Sequence, residues 1–423
     1  MSGLKVLVSG ASIAGPASAY WLAKAGAQVT VVERFSALRV GGQAVDIRLA
    51  GVSVMRKMPG LEAAVRAKSA QEEGISFVSE DGSPYGIIRP TGNPDKQSLI
   101  SEYEILRGDL SKILFDITKE DKNVEYIFDE QIASISQSEK VEGPVTVTFA
   151  NGKPTSKYDL VIACDGATSR TRALGFGGQV RDPIVSTDCW AAYFSMTQDV
   201  LNGSKIGQGY SAVGGRNISI GTDLAGFSHA VLMCMNQTPE KMQGFREALA
   251  EGELASKKYI AQHYQGVGWK ADTAVREMMD AKDFYASELV QVKMPNLYRG
   301  RFVLVGDAGY AAGLTGAGTS LAFAGAYILA GELKKHSGDI TAALQGYEQQ
   351  MRPLINKMQP IPPLVTTIIA PQTAWGIWLR NNIFGFIARS GLIEFAQRFI
   401  SPAFGDAKAF PIPEYEWHDQ LGA

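Results

Sequence analysis

Gly10-Ala11-Ser12-Ile13-Ala14-Gly15 follows the apolar run Leu4 to Val8 and opens a helix-like stretch, while Glu33 closes a second apolar run, Gln28 to Val32. Residues of these types at this spacing suit an adenine dinucleotide. Gly10 gives the tight turn out of a strand, Ser12 stands where backbone approaches a pyrophosphate, and Gly15 lets helix and strand close together. Ile13 and Ala14 lie at the amino end of that helix, which faces the phosphates. Ser12 replaces the usual glycine, so a small side chain must fit beside the phosphate with its hydroxyl as a donor. Glu33 is placed to hold the adenosine ribose hydroxyls, and Arg34 beside it is assigned to the same site. Glycine turns also join strands to helices without a ligand, but strand, helix, strand and acid in one unit argue against that reading.

A dinucleotide stretched over an open sheet needs polar contacts at several points, because one phosphate loop fixes only its middle. Arg107 and Asp307 are groups of the right kind, the first in a helical pattern, the second after the apolar run Arg301 to Val305. Arg107 has an alternative as a solvated helix residue paired with Glu104 or Asp109. Asp165-Gly166, after the run Leu160 to Cys164, is either a ligand loop or a structural Asp-Gly turn. Gly316-Ala317-Gly318-Thr319-Ser320 precedes an apolar helix, Leu321 to Leu333, whose unpaired amides and dipole suit an anionic edge.

The elements that must position these groups follow from periodicity. The chain opens on a strand-helix-strand unit ending near Gly26 and Glu33. The spacing then predicts helix over Val54 to Lys68, strands at Ile75 to Val78 and Tyr85 to Ile88, and helix over Glu104 to Lys119. Strands follow at Val124 to Phe128, Ile132 to Gln137, Val145 to Phe149 and Leu160 to Cys164. From Asp188 to Asn236 the alternation changes to aromatic-rich segments, Cys189 to Met196, Gly207 to Val213, Asn217 to Thr222 and His229 to Met235, which read as a separate antiparallel sheet. Helix returns over Lys241 to Gln262. The predicted class is α/β: a discontinuous Rossmann-like nucleotide domain (1–74, 99–185 and 290–345), an inserted, largely antiparallel β-sheet domain (75–98 and 186–289), and a C-terminal helical segment (346–423).

Composition sets the outer bounds. A chain of 423 residues with 41 basic and 43 acidic side chains, and no long run of either sign, has no electrostatic footprint for nucleic acid. Cys164, Cys189 and Cys234 are too far apart, and too far from histidine, for a zinc site, and read as reduced, partly buried thiols. A strand starting at Leu4 leaves no room for a leader, so a cytoplasmic protein is expected. No apolar run reaches the roughly 18 residues of a membrane span. Ile361-Pro362-Pro363 introduces Trp375, Leu379, Ile383 and Phe386 at helical spacing, a stripe that packs on the protein's own core or a partner subunit, with peripheral membrane contact as the alternative. Either a monomer or a homodimer fits.

Taken together, Gly10-x-Ser12-x-x-Gly15, the segment Cys164-Asp165-Gly166-Ala167-Thr168-Ser169-Arg170-Thr171-Arg172, and Gly306-Asp307-Ala308-Gly309 with Gly316-Ala317-Gly318 resemble the single-component FAD-dependent monooxygenases. That group includes para-hydroxybenzoate hydroxylase, aromatic polyketide hydroxylases and tetracycline-inactivating monooxygenases, and the resemblance spans roughly residues 1 to 345. It implies FAD as cofactor, with Arg107 and Asp307 at the positions that contact the flavin and its ribityl chain. It implies NAD(P)H as co-substrate and assigns Asp165-Gly166, Ser169 and Arg172 to contacts with both FAD and NAD(P)H, in either phosphate form of the nicotinamide. Gln43, Asp46 and Arg48 follow Gly41-Gly42 in the loop that the family lays along the flavin, where they contact ring or substrate or simply anchor the loop. Gly316, Gly318 and Thr319 would face the pyrimidine edge of the ring.

The chemistry implied is addition of O2 to reduced flavin, giving a flavin hydroperoxide that hydroxylates a small apolar or aromatic metabolite, with water kept away. Baeyer-Villiger or epoxidising oxygenation, flavin reduction and a non-catalytic FAD-fold binding protein are the alternatives; the Trp-x-Trp-x-Ile-Pro segment of halogenases is absent from the sequence. Trp190, Tyr193, Phe194, Tyr210 and Met233 suggest a greasy pocket, although alternation lets only about half of them face it. His229 is a candidate for deprotonating a phenol, and Tyr193 and Tyr310 are further catalytic candidates. Two departures affect the reaction face: Tyr310 stands where many members have histidine, and Gly313-Leu314 replaces a proline-containing stretch.

Overall fold

In the computed structural model, residues 3–39, 42–69, 73–90, 101–137, 143–222, 226–362, 365–390 and 410–417 are described, so Gly41, Pro363 and all of 91–98 in the sequence expectations lie outside them. The apolar runs pair as a six-stranded sheet in the order Tyr298–Arg299, Phe302–Leu304, Leu160–Ala163, Lys5–Ser9, Gln28–Glu33, Val124–Phe128. All neighbours are parallel except the outer Tyr298–Arg299. Strands such as Leu160–Ala163 and Phe302–Leu304 are buried on both faces, which is why they read as unbroken apolar runs. Val6 and Val8 pack towards helices Ala14–Lys24 and Gly318–Lys335. Leu7, on the other face, packs against the three-stranded sheet of Ile132–Ser136, Val145–Phe149 and Ser156–Tyr158. One register brings the carboxyl ends of four strands together, so Gly10, Arg34, Asp165 and Asp307 all emerge at one edge.

The second sheet has seven strands in the order Tyr285–Val292, Ile184–Ser195, Ser228–Cys234, Arg216–Thr222, Ile206–Ala212, Gly74–Val78, Pro84–Ile88. Its pairs are antiparallel except Ile206–Ala212 with Gly74–Val78. One face carries Trp190, Ala192, Phe194, Ile218, Ala230 and Leu232 into a core with helices Pro239–Glu251, Glu253–His263 and Ala271–Asp280. The other face is open at its centre and partly covered by helix Ala374–Ser390.

Several element boundaries differ from expectation for local reasons. The helix expected over Val54 to Lys68 is two, Ala50–Arg56 and Leu61–Arg66, split where Pro59 is followed by Gly60 at φ +79°. The one expected over Lys241 to Gln262 breaks at Gly252, whose φ of +121° no helix accommodates. Glu104–Leu106 is a strand, antiparallel to Ala44–Asp46, and helix begins only at Arg107. Strands Ser156–Tyr158 and Tyr285–Val292 and helix Ala271–Asp280 were not expected. The C-terminal stripe does not pack on the protein's own core: Arg380, Phe384 and Gly385 face the sheet, leaving Trp375, Trp378 and Phe386 exposed. Among the described residues no helix is long and apolar enough to cross a membrane.

Candidate active site

The glycine loop is fixed by contacts that tolerate no larger residue. A Cβ on Gly15 would lie 1.8 Å from the Gly10 carbonyl oxygen, and one on Gly10, at φ +107°, would lie 2.7 Å from the Cys164 carbonyl oxygen. Gly10 therefore touches the Asp165 loop directly. The Ala11 amide donates to Glu33 Oε2 at 2.8 Å, and Phe35 N donates to Glu33 Oε1 at 3.2 Å, so the acid is held at the loop's edge. Ser111 donates to the Ala11 and Ser12 carbonyls at 3.4 and 3.3 Å, clamping the helix of Arg107 onto the loop. Ile13 and Ala14 are buried beneath it, with Ala14 against Gly306. Arg34 lies outside, exposed, with its guanidinium 4.7 Å from the Phe35 ring centroid.

Asp307 and Arg107 face one another across the cleft. The Asp307 carboxylate is accessible yet walled by protein; that enclosure pushes its pKa up, and Arg107 pulls it back. Gly318 sits against it, 3.3 Å separating the ideal Cβ position from Asp307 Oδ1. The Arg107 amide donates to the Gln43 carbonyl at 3.0 Å, but its half-buried guanidinium makes no hydrogen bond or ion pair among the described residues. Pairing with Glu104 or Asp109 is not what the structure shows; Asp109 is 3.8 Å from Lys68 Nζ instead. The ribbon of Ala44–Asp46 and Glu104–Leu106 thus brings Gln43, Asp46 and Arg107 together.

Asp46 is bound by Arg48 Nε at 3.1 Å, and Arg48, almost fully buried, is pinned through its amide to Ser320 Oγ at 2.8 Å. Gly316, at φ +70°, lies beside Asp46 Oδ2, and Thr319 is in the first turn of the helix that starts at Gly318. Gln43 Oε1 is buried with no partner among the described residues. An orphaned acceptor, an unpaired guanidinium, an enclosed carboxylate and a glycine cradle around one cleft fit a polar, anionic dinucleotide, and hence FAD.

The Asp165 carboxylate is already occupied, by the Ser169 hydroxyl and by Thr171 N at 3.1 Å. Arg172 then donates to Ala308 O at 2.7 Å and to Val180 O at 2.7 Å, bolting this loop to the residue after Asp307. Asp165 organises the loop; Gly166, at φ +88° with open space around it, is where a ligand has room.

Tyr310 does not reach the reaction face. Its ring is buried and its hydroxyl lies 3.2 Å from that of Tyr347, which bonds the Leu304 carbonyl. The greasy residues also divide: Trp190, Phe194 and Tyr210 belong to the helical side of the sheet, while Tyr193 and Met233 share the open face. Tyr193 stacks on Tyr285 at 6.3 Å, and burial raises its pKa far above the usual range. His229, on the open face, has Nδ1 3.1 Å from Ser195 Oγ, which donates to Asp283 Oδ2 at 2.5 Å. A carboxylate only accepts, so the single Ser195 proton goes to Asp283 and Nδ1–H of His229 donates to Ser195. Ser195 and Asp283 were missed in the sequence because neither stands in a motif; only strand register reveals them.

Residues 3–359 match the family described as "FAD binding domain". FAD-dependent monooxygenase asL4 of Sarocladium schorii is 33% identical over 420 residues, covering 92% of this chain and 93% of that protein. Monooxygenase CTB7 of Cercospora beticola is 33% identical over 402 residues, with 92% and 94% covered. The crystal structure of tetracycline destructase Tet(55) superposes with a TM-score of 0.75 at 32% identity, covering 98% of this chain and all of that one. With that likeness over nearly the whole length and a cleft built for the cofactor, the chain belongs to the FAD-binding-domain family and is a flavoprotein monooxygenase.

Proposed function

We propose that the protein uses NAD(P)H and O2 to hydroxylate a small apolar or aromatic metabolite. The observation that carries this reading is the convergence of Gln43, Asp46, Arg107 and Asp307 on one cleft. The sheet face bearing Tyr193, His229 and Met233 is the surface assigned to substrate. Bound FAD would supply hydride acceptance, O2 activation and oxygen transfer. The glycine loop and Glu33 would hold its adenosine half, and Arg107 and Asp307 its ribityl and ring end. Tyr193, Val231 and Met233 would exclude water, and Leu314 packs on the same small cluster as Met233 and Leu289.

His229 would take the proton of a phenol, because a phenolate is the better nucleophile. Its tautomer is set by Ser195 and Asp283, which makes those two positioning residues. We assign 1–74, 99–185 and 290–345 to the cofactor domain and 75–98 with 186–289 to the substrate domain. Tetracyclines, suggested by the name of one solved relative, and polyketide phenols, implied by the family resemblance, form the first substrate panel. Oxygen-dependent NAD(P)H oxidation stimulated by a panel member, with hydroxylated product by mass spectrometry, supports the proposal. Flavin loading with no NAD(P)H oxidation by any member contradicts it.

A further inference from the structure

Helix Ala374–Ser390 lies so closely on the open face that a Cβ on Gly86 would meet Ala388 Cβ at 2.5 Å, and one on Gly385 would meet Tyr85 O at 2.8 Å. This seat delivers Arg380. Its guanidinium lies 4.1 Å from the Phe77 ring centroid, donates from Nη2 to Ser211 Oγ at 2.7 Å and from Nη1 to Ile369 O at 3.0 Å. Nε is buried with no acceptor, and no carboxylate pairs with this cation among the described residues. Burial lowers its pKa to about 10, so it remains charged at neutral pH.

A half-buried cation without a counter-ion carries a desolvation cost, and two neutral donors would anchor the helix equally well. The position of the charge gives it a use. Ser211 pairs across the sheet with Asn217, and Asn217 with Met233, one row of the open face. Two strand spacings, about 10 Å, separate the Arg380 end of that row from Met233, which shares its cluster with Leu314 of the loop before Gly316. An aromatic ring system spans such a row.

We propose that Arg380 is a specificity-determining residue that selects substrates carrying an anionic oxygen, a carboxylate or an ionised enol or phenol, at the end remote from the oxygenated carbon. This rests on the substrate face assigned above. Salicylate and salicylamide, one charged and one neutral, are the probes, titrated into the FAD-loaded protein by the change in flavin absorbance and tryptophan fluorescence. Wild type should bind salicylate about tenfold more tightly than salicylamide, the range of one charge-assisted hydrogen bond. R380Q should erase the preference with salicylamide binding held within about threefold, and R380K should keep part of it. Equal binding in wild type, no binding of either probe, or a preference that survives R380Q overturns the proposal. The wild-type comparison decides alone if R380Q loses its fold by circular dichroism. Flavin uptake is recorded on the same sample: protein that stays flavin-free but prefers salicylate keeps the role of Arg380 and loses the monooxygenase reading, and flavin-loaded protein without preference does the reverse.

Discussion

Asp307 meets two opposed demands, ligand binding and folding. Enclosure raises its folded pKa, so the protonated form is the one that folding favours. The stability this gives is present below the ordinary carboxylate range and is lost as pH rises through the raised folded value. Asp307→Asn should therefore leave the apoprotein more stable than wild type at neutral pH, with the difference closing in acid, as urea melts across that window would show. The same variant should bind FAD more weakly. At the other end of the site, Asp283→Asn and Ser195→Ala should each lower kcat/KM for a phenolic substrate about 10- to 100-fold, and less for the same substrate supplied as its phenolate at high pH. A merely structural role would lower both alike. Gly10, Glu33 and Asp307 were placed by sequence because a strand ends at or just before each, and Gly15 because it opens the helix that follows the first strand. Tyr310 was misread for the same reason: three residues from Asp307, it turns into the core towards Tyr347 on a helix far away in sequence. Asp283, Ser195 and Arg380 depend on register and helix docking, which no local pattern encodes.

Elements were legible where periodicity was unmixed. Val124–Phe128 and Val145–Phe149 match expectation residue for residue, because the second alternates and the first is β-branched or aromatic at every position but Glu125. Tyr285–Val292 was missed because Ser287, Glu288 and Gln291 interrupt its apolar residues, and it is an edge strand that needs only one hydrogen-bonded neighbour. That strand also holds the Gly313-Leu314 loop. Gln359 Nε2 donates to Val292 O at 2.8 Å and to Ala311 O at 2.9 Å, while Gln291 Nε2 donates to Gln359 O at 2.5 Å. The two buried glutamines join strand, loop and helix Ile340–Met358 before Gly313. Gln359→Leu should cost about 1–3 kcal/mol by removing the side-chain donor to the Val292 and Ala311 carbonyls, of which Ala311 O keeps only the Val292 amide at 3.1 Å, measured by urea denaturation. It should also lower coupling of NAD(P)H oxidation to product, since the loop borders the reaction face.

At the scale of the molecule, two sheets built on different rules share one task. The parallel sheet ends its strands at one edge and so concentrates backbone amides, Glu33 and Asp307 there; the mostly antiparallel sheet alternates, sending one face to its own helices and leaving the other for a ligand. Composition and strand order made this division readable. The bridge between the sheets was not readable, because it is made by single contacts between residues far apart in sequence: Tyr285 under Arg39 at 5.2 Å and Gly313 against Thr187. The central claim is that this cleft holds FAD. Purified protein incubated with FAD and desalted should show flavin absorbance near one equivalent per chain, and Arg107→Ala should weaken binding about 10- to 100-fold. A preparation that stays colourless and takes up no added FAD, while folded by circular dichroism, would contradict the account.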